Sequence, residues 1–305
     1  MWEERYDTDD YLFGRAPARF LKTHEACLTP GAKALSVADG EGRNSVFLAQ
    51  KGLEVTGFDY APSAVEKARA LAAEGALPRV VVAGSTGATG RLVAKALQRS
   101  GRFRVAAGYR TEARLEEAGL SGLPGVEFVQ LDVTAPAAEQ AAALRGADAV
   151  VCATGFRPGL DFNAPKKVDG EGTRRLVDAA KAAGVKKFVL VTSLLTNAKA
   201  VGQGDNPNYK FLNLFGGVLD QKLEAEQHLR ASGLEWTIVR PGGLDEGPAG
   251  GEVVVGAEDT LFDGAVAREQ VAEVCVAALE DPRAANRVVE VVSRDGAPKL
   301  ESYFS

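Results

Sequence analysis

Val80-Val81-Val82-Ala83-Gly84-Ser85-Thr86-Gly87-Ala88-Thr89-Gly90-Arg91 is the stretch that decides the fold. Its apolar, mostly β-branched opening predicts a buried strand, Arg79–Ala83, and the stretch that follows predicts a helix running to Ser100. Between them the glycines stand in a GxxGxxG spacing. Gly84 permits a tight turn, Gly87 lets a ligand approach the backbone, and Gly90 lets the helix pack close to the strand. The helix N-terminus then points free N–H groups and the positive end of its dipole at a pyrophosphate. A second strand, Phe103–Gly108, completes a βαβ unit, the context that separates a phosphate cradle from a merely structural glycine turn.

Working toward the C-terminus, strands are predicted at Val126–Leu131, Ala147–Ala153, Lys187–Thr192, Leu234–Val239 and Arg287–Val292. Helices lie between them, several closed by a C-capping glycine: Gly101, Gly119, Gly184 and Gly233. This is an α/β, doubly wound parallel sheet, and residues 79–305 suffice for a complete domain. Toward the N-terminus the same pattern begins a first time: strand Ala34–Asp39, turn Gly40–Asn44, a helix to about Lys51, strand Glu54–Asp59, helix Pro62–Ala73. Gly75–Pro78 is the seam, so the domains are expected at 1–78 and 79–305.

Composition narrows the function. The 305 residues carry a net charge of −5, with a pI of about 5.4, which argues against a broad nucleic-acid footprint. Cys27, Cys152 and Cys275 stand far apart, and with only His24 and His228 beside them no metal centre or disulfide framework is expected. No apolar run is long enough for a membrane span. The acidic, aromatic opening Met1–Gly14 is unlike a secretory or transit segment. A soluble, intracellular protein is expected.

Gly108-Tyr109-Arg110 ends the second strand of the βαβ unit, about 20 residues after the last motif glycine. No acid stands there to grip a ribose 2′-hydroxyl, and Arg110 suits a 2′-phosphate, so NADP(H) is preferred over NAD(H). Gly84, Thr86, Gly87, Ala88, Thr89 and Gly90 are the expected phosphate cradle.

Residues 79–305 resemble the atypical short-chain dehydrogenase/reductase family, in particular plastid NAD(P)-binding proteins related to the translocon subunit that docks ferredoxin–NADP reductase. The likeness rests on VVVAGSTGATG, Leu131–Thr134, Val150–Gly159, Val189–Leu195, Asn206–Gly217 and Val239–Leu244. It implies that Asp132 and Val133 border the adenine and that Ala153, Thr154 and Gly155 line the ribose–nicotinamide edge. It also implies that Pro241 and Gly242 pack on the nicotinamide. The family's catalytic lysine corresponds to Lys222, but the tyrosine expected four residues earlier is Val218 here. Valine cannot move a proton, so reduction of an isolated ketone is disfavoured and a conjugated, quinone- or flavin-like acceptor is expected. Ser193, at a strand end beside Thr192, is either a substrate contact or a cap. Tyr209 is either a substitute acid or a loop anchor. Lys222 is either a ribose ligand or the surface partner of Glu226, one helical turn on. The substrate pocket is expected from Gly155–Lys166, Leu195–Lys210 and Leu244–Arg268, with Phe156, Phe162, Tyr209 and Phe262 as its aromatics. The alternative function is a non-catalytic NADP(H)-sensing or docking module.

The front segment resembles the opening of a class I S-adenosylmethionine-dependent methyltransferase of the tellurite-resistance type, on Trp2–Gly14, Val37–Ala49 and Leu53–Arg69. That likeness implies Asp39, Gly40 and Gly42 around the methionine end of S-adenosylmethionine and Asp59 on its ribose. Later strands of such a domain are missing, so a non-binding relic is preferred to S-adenosylmethionine binding, and binding to methyl transfer. The segment is expected to dock on the larger domain, pair with another chain or stay poorly ordered. The expected partners are a small-molecule acceptor and a redox protein or a second copy. The expected location is the plastid stroma in a photosynthetic eukaryote and the cytoplasm otherwise.

Overall fold

A computed structural model describes residues 1–29, 31–75, 77–156, 161–214, 216–247 and 250–305. Parts of four sequence readings lie outside these residues: Ala76 of the seam, 157–160 of the loop after Gly155, Phe215, and 248–249. The chain divides into two compact units, Met1–Leu77 and Pro78–Ser305. No helix among the described residues is long and apolar enough to cross a membrane.

The first unit holds helices α1 (Trp2–Tyr6) and α2 (Arg19–Thr23), strand β1 (Lys33–Val37), helix α3 (Arg43–Gln50), strand β2 (Glu54–Phe58) and helix α4 (Pro62–Gly75). β1 and β2 pair in parallel, Lys33 opposite Glu54 and Val37 opposite Phe58. Leu35, Val37 and Phe58 are each more than half exposed, and the buried cluster is small: Tyr6, Ala61 and Ala64. Polar contacts hold the unit's turns. Glu3 accepts from the Ser63 backbone and hydroxyl, and Lys67 pairs with the buried Glu41 at 2.9 Å.

In the second unit the chain runs β3 (Arg79–Ala83), α5 (Ala88–Ser100), β4 (Arg104–Tyr109), α6 (Glu112–Glu117), β5 (Val126–Gln130), α7 (Ala137–Ala143) and β6 (Ala149–Cys152). A π-helical turn, Lys166–Gly172, leads into α8 (Thr173–Ala182), β7 (Lys187–Val191), α9 (Pro207–Asn213), α10 (Val218–Ala231) and β8 (Glu235–Pro241). Then follow β9 (Gly243–Asp245), β10 (Glu252–Gly256), β11 (Ala265–Ala267), α11 (Arg268–Glu280) and β12 (Arg287–Arg294). The main sheet has eight strands in the order β10-β12-β8-β7-β6-β3-β4-β5, all parallel except β10. Helices cover both faces, so the strands are near-continuous apolar runs. Val80 and Val82 enter the cluster with α5 and α11, while Val81 and Ala83 enter the one with α8 and Leu229 of α10.

Three strands escape a sequence reading. β9 and β11 are three residues each and pair only with one another, and β10 is an antiparallel edge that follows a glycine-rich stretch. The loop predicted to hold Tyr209 contains α9, whose N-terminus is capped by the Asn206 side chain accepting from Asn208 N at 3.0 Å.

A buried charge node ties β8, α10 and β12 together. Arg240 is fully enclosed and contacts Glu226 at 2.6 Å, Asp259 at 2.7 Å and Glu290 at 3.4 Å. Burial works against its charge, but the hydrogen bonds and field of Glu226 outweigh that, and its pKa lies above the ordinary arginine value. Glu290 in turn accepts the backbone N–H groups of Asp259, Thr260 and Leu261 at 2.7–3.0 Å. Replacing Arg240 by leucine leaves Glu290 buried without its cation and Glu226 with only Arg230 at 4.0 Å. A loss of about 3–5 kcal/mol in urea-unfolding stability is the expected outcome.

Candidate functional site

The strand order reverses at β3, between β4 and β6, and the carboxyl ends of these strands open into a cleft of about 800 Å³. A crevice of this kind is where doubly wound sheets receive ligands.

The glycine loop builds one wall. Gly84 sits at φ +79°, and a Cβ there would lie 2.9 Å from the Ala153 carbonyl oxygen, so the turn and the end of β6 share one space. A Cβ on Gly90 would collide with the Gly84 carbonyl. Gly87 is different: its φ is −84°, and the nearest atom to a Cβ would be Gly84 O at 3.2 Å. Gly87 lines the cleft with Thr86, Ala88 and Thr89, and Gly90 does not, because its task is packing. Ser85 is absent from the sequence reading. It is fully buried, and its hydroxyl donates to Gly108 O at 2.8 Å, which pins the loop to β4.

Arg110, Arg114, Asp132, Val133 and Thr134 line the next part. Among the described residues the Arg110 guanidinium makes no ion pair, whereas Arg114 pairs with Glu117 at 2.9 Å. Asp132 organises its own turn, accepting from Thr134 N and Oγ1 at 2.8 Å each. Arg114 reaches the cleft because α6 follows β4 after a two-residue turn, and no residue pattern marks that in advance.

Ala153, Thr154, Gly155 and Phe156 form the far side with Lys222 and Thr192. Of the two alternatives for Lys222, the surface pair with Glu226 does not form. Lys222 Nζ lies 2.8 Å from Oδ1 of the fully buried Asp169, while Glu226 faces inward on Arg240. Asp169 comes from the π-helical turn, and its other oxygen accepts the Phe156 N–H at 3.0 Å. Thr192 donates its hydroxyl proton to Glu226 Oε1 at 2.6 Å. Ser193 is half-buried and not among the lining residues. Tyr209 is likewise not a lining residue: it is buried in α9, and its hydroxyl donates to Asp220 Oδ1 at 2.5 Å, the geometry of an anchor.

Other expected contacts are placed differently. Pro241 and Gly242 end β8 inside the sheet, Gly242 N donating to Val291 O at 2.9 Å, and neither lines the cleft. Of the four aromatics only Phe156 lines it; Phe162 is exposed and Phe262 packs on the cluster around Leu194. Leu195–Lys210 contributes no lining residue among those described, while Leu244, Glu246 and Arg268 do. Cys152 is buried, and its thiol pKa is raised by that burial.

In the first unit, Asp39, Gly40 and Asp59 line a second cleft of about 510 Å³. Asp59 accepts from Gly40 N at 2.9 Å and Ala61 N at 3.0 Å, and Asp39 accepts from the Ser36 and Ser45 hydroxyls. Gly42 is not a lining residue. It sits at φ +81° where α3 passes α4, and a Cβ there would press on Ala68 at 2.7 Å.

A family model described as NAD(P)H-binding matches residues 84–282. An uncharacterized chloroplastic protein of Arabidopsis thaliana is 48% identical, over 72% of this chain and 79% of its own length. The chloroplastic protein TIC 62 of Pisum sativum is 36% identical over 72% of this chain, and the match spans only 43% of the pea protein. Sanguinarine reductase of Eschscholzia californica is 32% identical, over 70% and 89% of the two chains. Among solved structures, a putative NAD-dependent epimerase/dehydratase from Bacillus halodurans superposes with a TM-score of 0.61 at 26% identity, covering 72% of this chain and 95% of that one.

Gly87 separates binding from folding, because its backbone angles suit any residue while its Cα faces the cleft. Gly87→Leu is expected to melt within a few degrees of the parent yet to lose about 100-fold in NADPH affinity by fluorescence titration, some 3 kcal/mol. Gly90→Ala, which strikes backbone, is expected to fail first in thermal melting.

Proposed function

The chain belongs to the NAD(P)H-binding family, an oxidoreductase-like family with reductases among its relatives, and on that premise we propose an NADP(H)-dependent oxidoreductase that passes hydride to a conjugated acceptor of the quinone or flavin type. The observation that carries this reading is a cleft holding a glycine cradle, Arg110 and Lys222, with Val218 in the place of a proton-donating tyrosine. The residues present fit the coenzyme. Gly84 and Gly90 carry no side chain where backbone meets backbone, Gly87 leaves the wall of the cleft open, and Arg110 is available for a 2′-phosphate. When bound, the reduced coenzyme supplies a hydride.

The chain's own groups do the rest. The first N–H groups of α5, at Ala88 and Thr89, have no helical acceptor and face the phosphate position. Lys222 Nζ carries three donors and is held by its ion pair with Asp169, which leaves donors for ribose hydroxyls. Thr192 commits its proton to Glu226, so toward the cleft it offers lone pairs and accepts rather than donates. With Val218 buried, at 5% exposure, and unable to titrate, proton delivery falls to solvent, which a conjugated acceptor tolerates and an isolated ketone does not.

Val218 and the likeness to TIC 62 also support a second reading, an NADP(H)-sensing module that docks on a redox protein without turnover. The chloroplastic relatives favour a plastid location. For residues 1–78 we propose a partial methyltransferase-like unit without ligand. The carboxylates of Asp39 and Asp59 are already engaged by their own loops.

Stopped-flow mixing of NADPH with flavins and quinones is expected to oxidise NADPH, and Lys222→Met to slow it at least tenfold; tight NADPH binding with no turnover selects the sensing module. Arg110→Ser is expected to reduce the preference for NADPH over NADH by roughly 1–3 kcal/mol, the worth of a charge-assisted contact, in paired titrations. Calorimetry with S-adenosylmethionine is expected to give no binding heat, and a micromolar dissociation constant would overturn the relic reading.

A further inference from the structure

Resting on the reading of the cleft as a coenzyme-dependent reductase, we propose that Arg268 binds an anionic oxygen group, carboxylate or phosphate, carried by the acceptor. The substrates are then flat conjugated anions rather than neutral quinones.

Arg268 opens α11 directly after β11, and its side chain lines the cleft. Its Nη1 is buried and has no hydrogen-bond partner. Glu246 Oε1 stands 3.8 Å away, beyond hydrogen-bond reach, on a side chain that is 83% exposed. Native structures rarely leave a buried cationic donor without an acceptor, and where one occurs it calls for a ligand or a water. Among the described residues Gln140 Oε1, Asp169 Oδ1, Arg175 Nε and Gln221 Oε1 also lack a hydrogen-bond partner, but none of those residues lines the cleft. Asp169 Oδ1 has Lys222 Nζ at 2.8 Å. Among the described residues Arg268 is thus the one such residue that lines the cleft.

Topology puts this arginine at the acceptor end. β9 continues from the end of β8, and β11 pairs with β9, Ala267 opposite Asp245. β8 is three places from β3 in the sheet, about 14 Å at the usual strand spacing, so Arg268 belongs to the side of Thr192 rather than the glycine loop. The neighbouring wall is apolar: Phe156, Ala164, Val168, Val191 and Leu244. An apolar slot with a guanidinium at one end suits a planar body bearing a carboxylate or phosphate, which a guanidinium can hold in bidentate fashion. Glu246, exposed and loosely placed, is a counter-charge that an incoming anion displaces.

Two matched pairs of probes test the proposal: FMN against riboflavin, and anthraquinone-2-carboxylate against its methyl ester. Each is titrated calorimetrically into the protein saturated with NADP⁺, and NADPH affinity is measured separately by fluorescence. The wild type is expected to bind the anionic member of each pair at least tenfold more tightly. Arg268→Gln is expected to bring both ratios near one while leaving NADPH affinity unchanged, and Arg268→Lys to restore part of the preference. Glu246→Gln, a change on an exposed side chain, is expected to tighten the anionic members several-fold, so the proposal stays testable should Arg268→Gln fold poorly. Equal binding of both members by the wild type, or a preference that survives in Arg268→Gln, would overturn it. So would a tenfold loss of NADPH affinity with the preference intact, which would assign Arg268 to the coenzyme's diphosphate. A wild type that binds the anionic probes selectively but not NADPH would overturn the coenzyme reading and leave the anion site standing.

Discussion

Backbone pressed on backbone at the end of β3 is the constraint on which the cleft depends. Gly84 turns against the Ala153 carbonyl, and Gly90 brings the first turn of α5 against Gly84 itself. No side chain fits at either point, so the helix N-terminus stands over the strand end and its free N–H groups converge on one spot. Ser85 closes the arrangement from below by bonding to Gly108 O, whose own lack of a Cβ lets β4 lie against Val82 O. The cradle is therefore fixed before any ligand arrives, which reduces the ordering cost of binding.

Asp169 performs a comparable service on the opposite wall. A π-helical turn carries it inward, where one oxygen holds Lys222 and the other holds the first N–H of the loop after Gly155. Lysine and loop are thus tied to a single buried carboxylate. Turns of this type often occur at functional sites because the extra residue redirects a side chain that regular α-helix would point elsewhere. Gly170, next along, has Gln221 of α10 packed on the place a side chain would occupy, which keeps the turn close to that helix.

The charge node at Arg240 reaches the same cleft from behind. Glu226, held by Arg240, accepts a hydrogen bond from the Thr192 hydroxyl and another from Thr196 at 3.2 Å. One buried carboxylate therefore sets the hydrogen-bonding polarity of the hydroxyl on a residue that lines the cleft. Buried charges of this kind are poor stabilisers against an apolar alternative, and their value here lies in specifying orientation. Glu290 adds the loop at Asp259–Leu261 to the same node, so the strand pair that ends in Arg268 is built on a rigid base.

The sheet, the glycine turn after β3 and the NAD(P)H-binding family were legible in the sequence because they depend on local rules: apolar runs buried on both faces, glycines where backbone must touch backbone, a strand followed at once by a helix. That position 218 carries valine, which cannot move a proton, was legible for the same reason, since an absent titratable group needs no partner to be read. Which side chains meet across the fold was decided only in three dimensions. Lys222 has Glu226 one turn away and Asp169 more than fifty residues back in the chain, and it pairs with Asp169 because Arg240 turns Glu226 inward. Tyr209 lies in α9 with Asp220 as its acceptor, and Arg268 is delivered to the cleft by two three-residue strands too short to carry a periodic signal. Spacing along a chain determines local conformation; long-range charge pairing depends on which buried groups compete for each partner, and only the folded arrangement settles that competition.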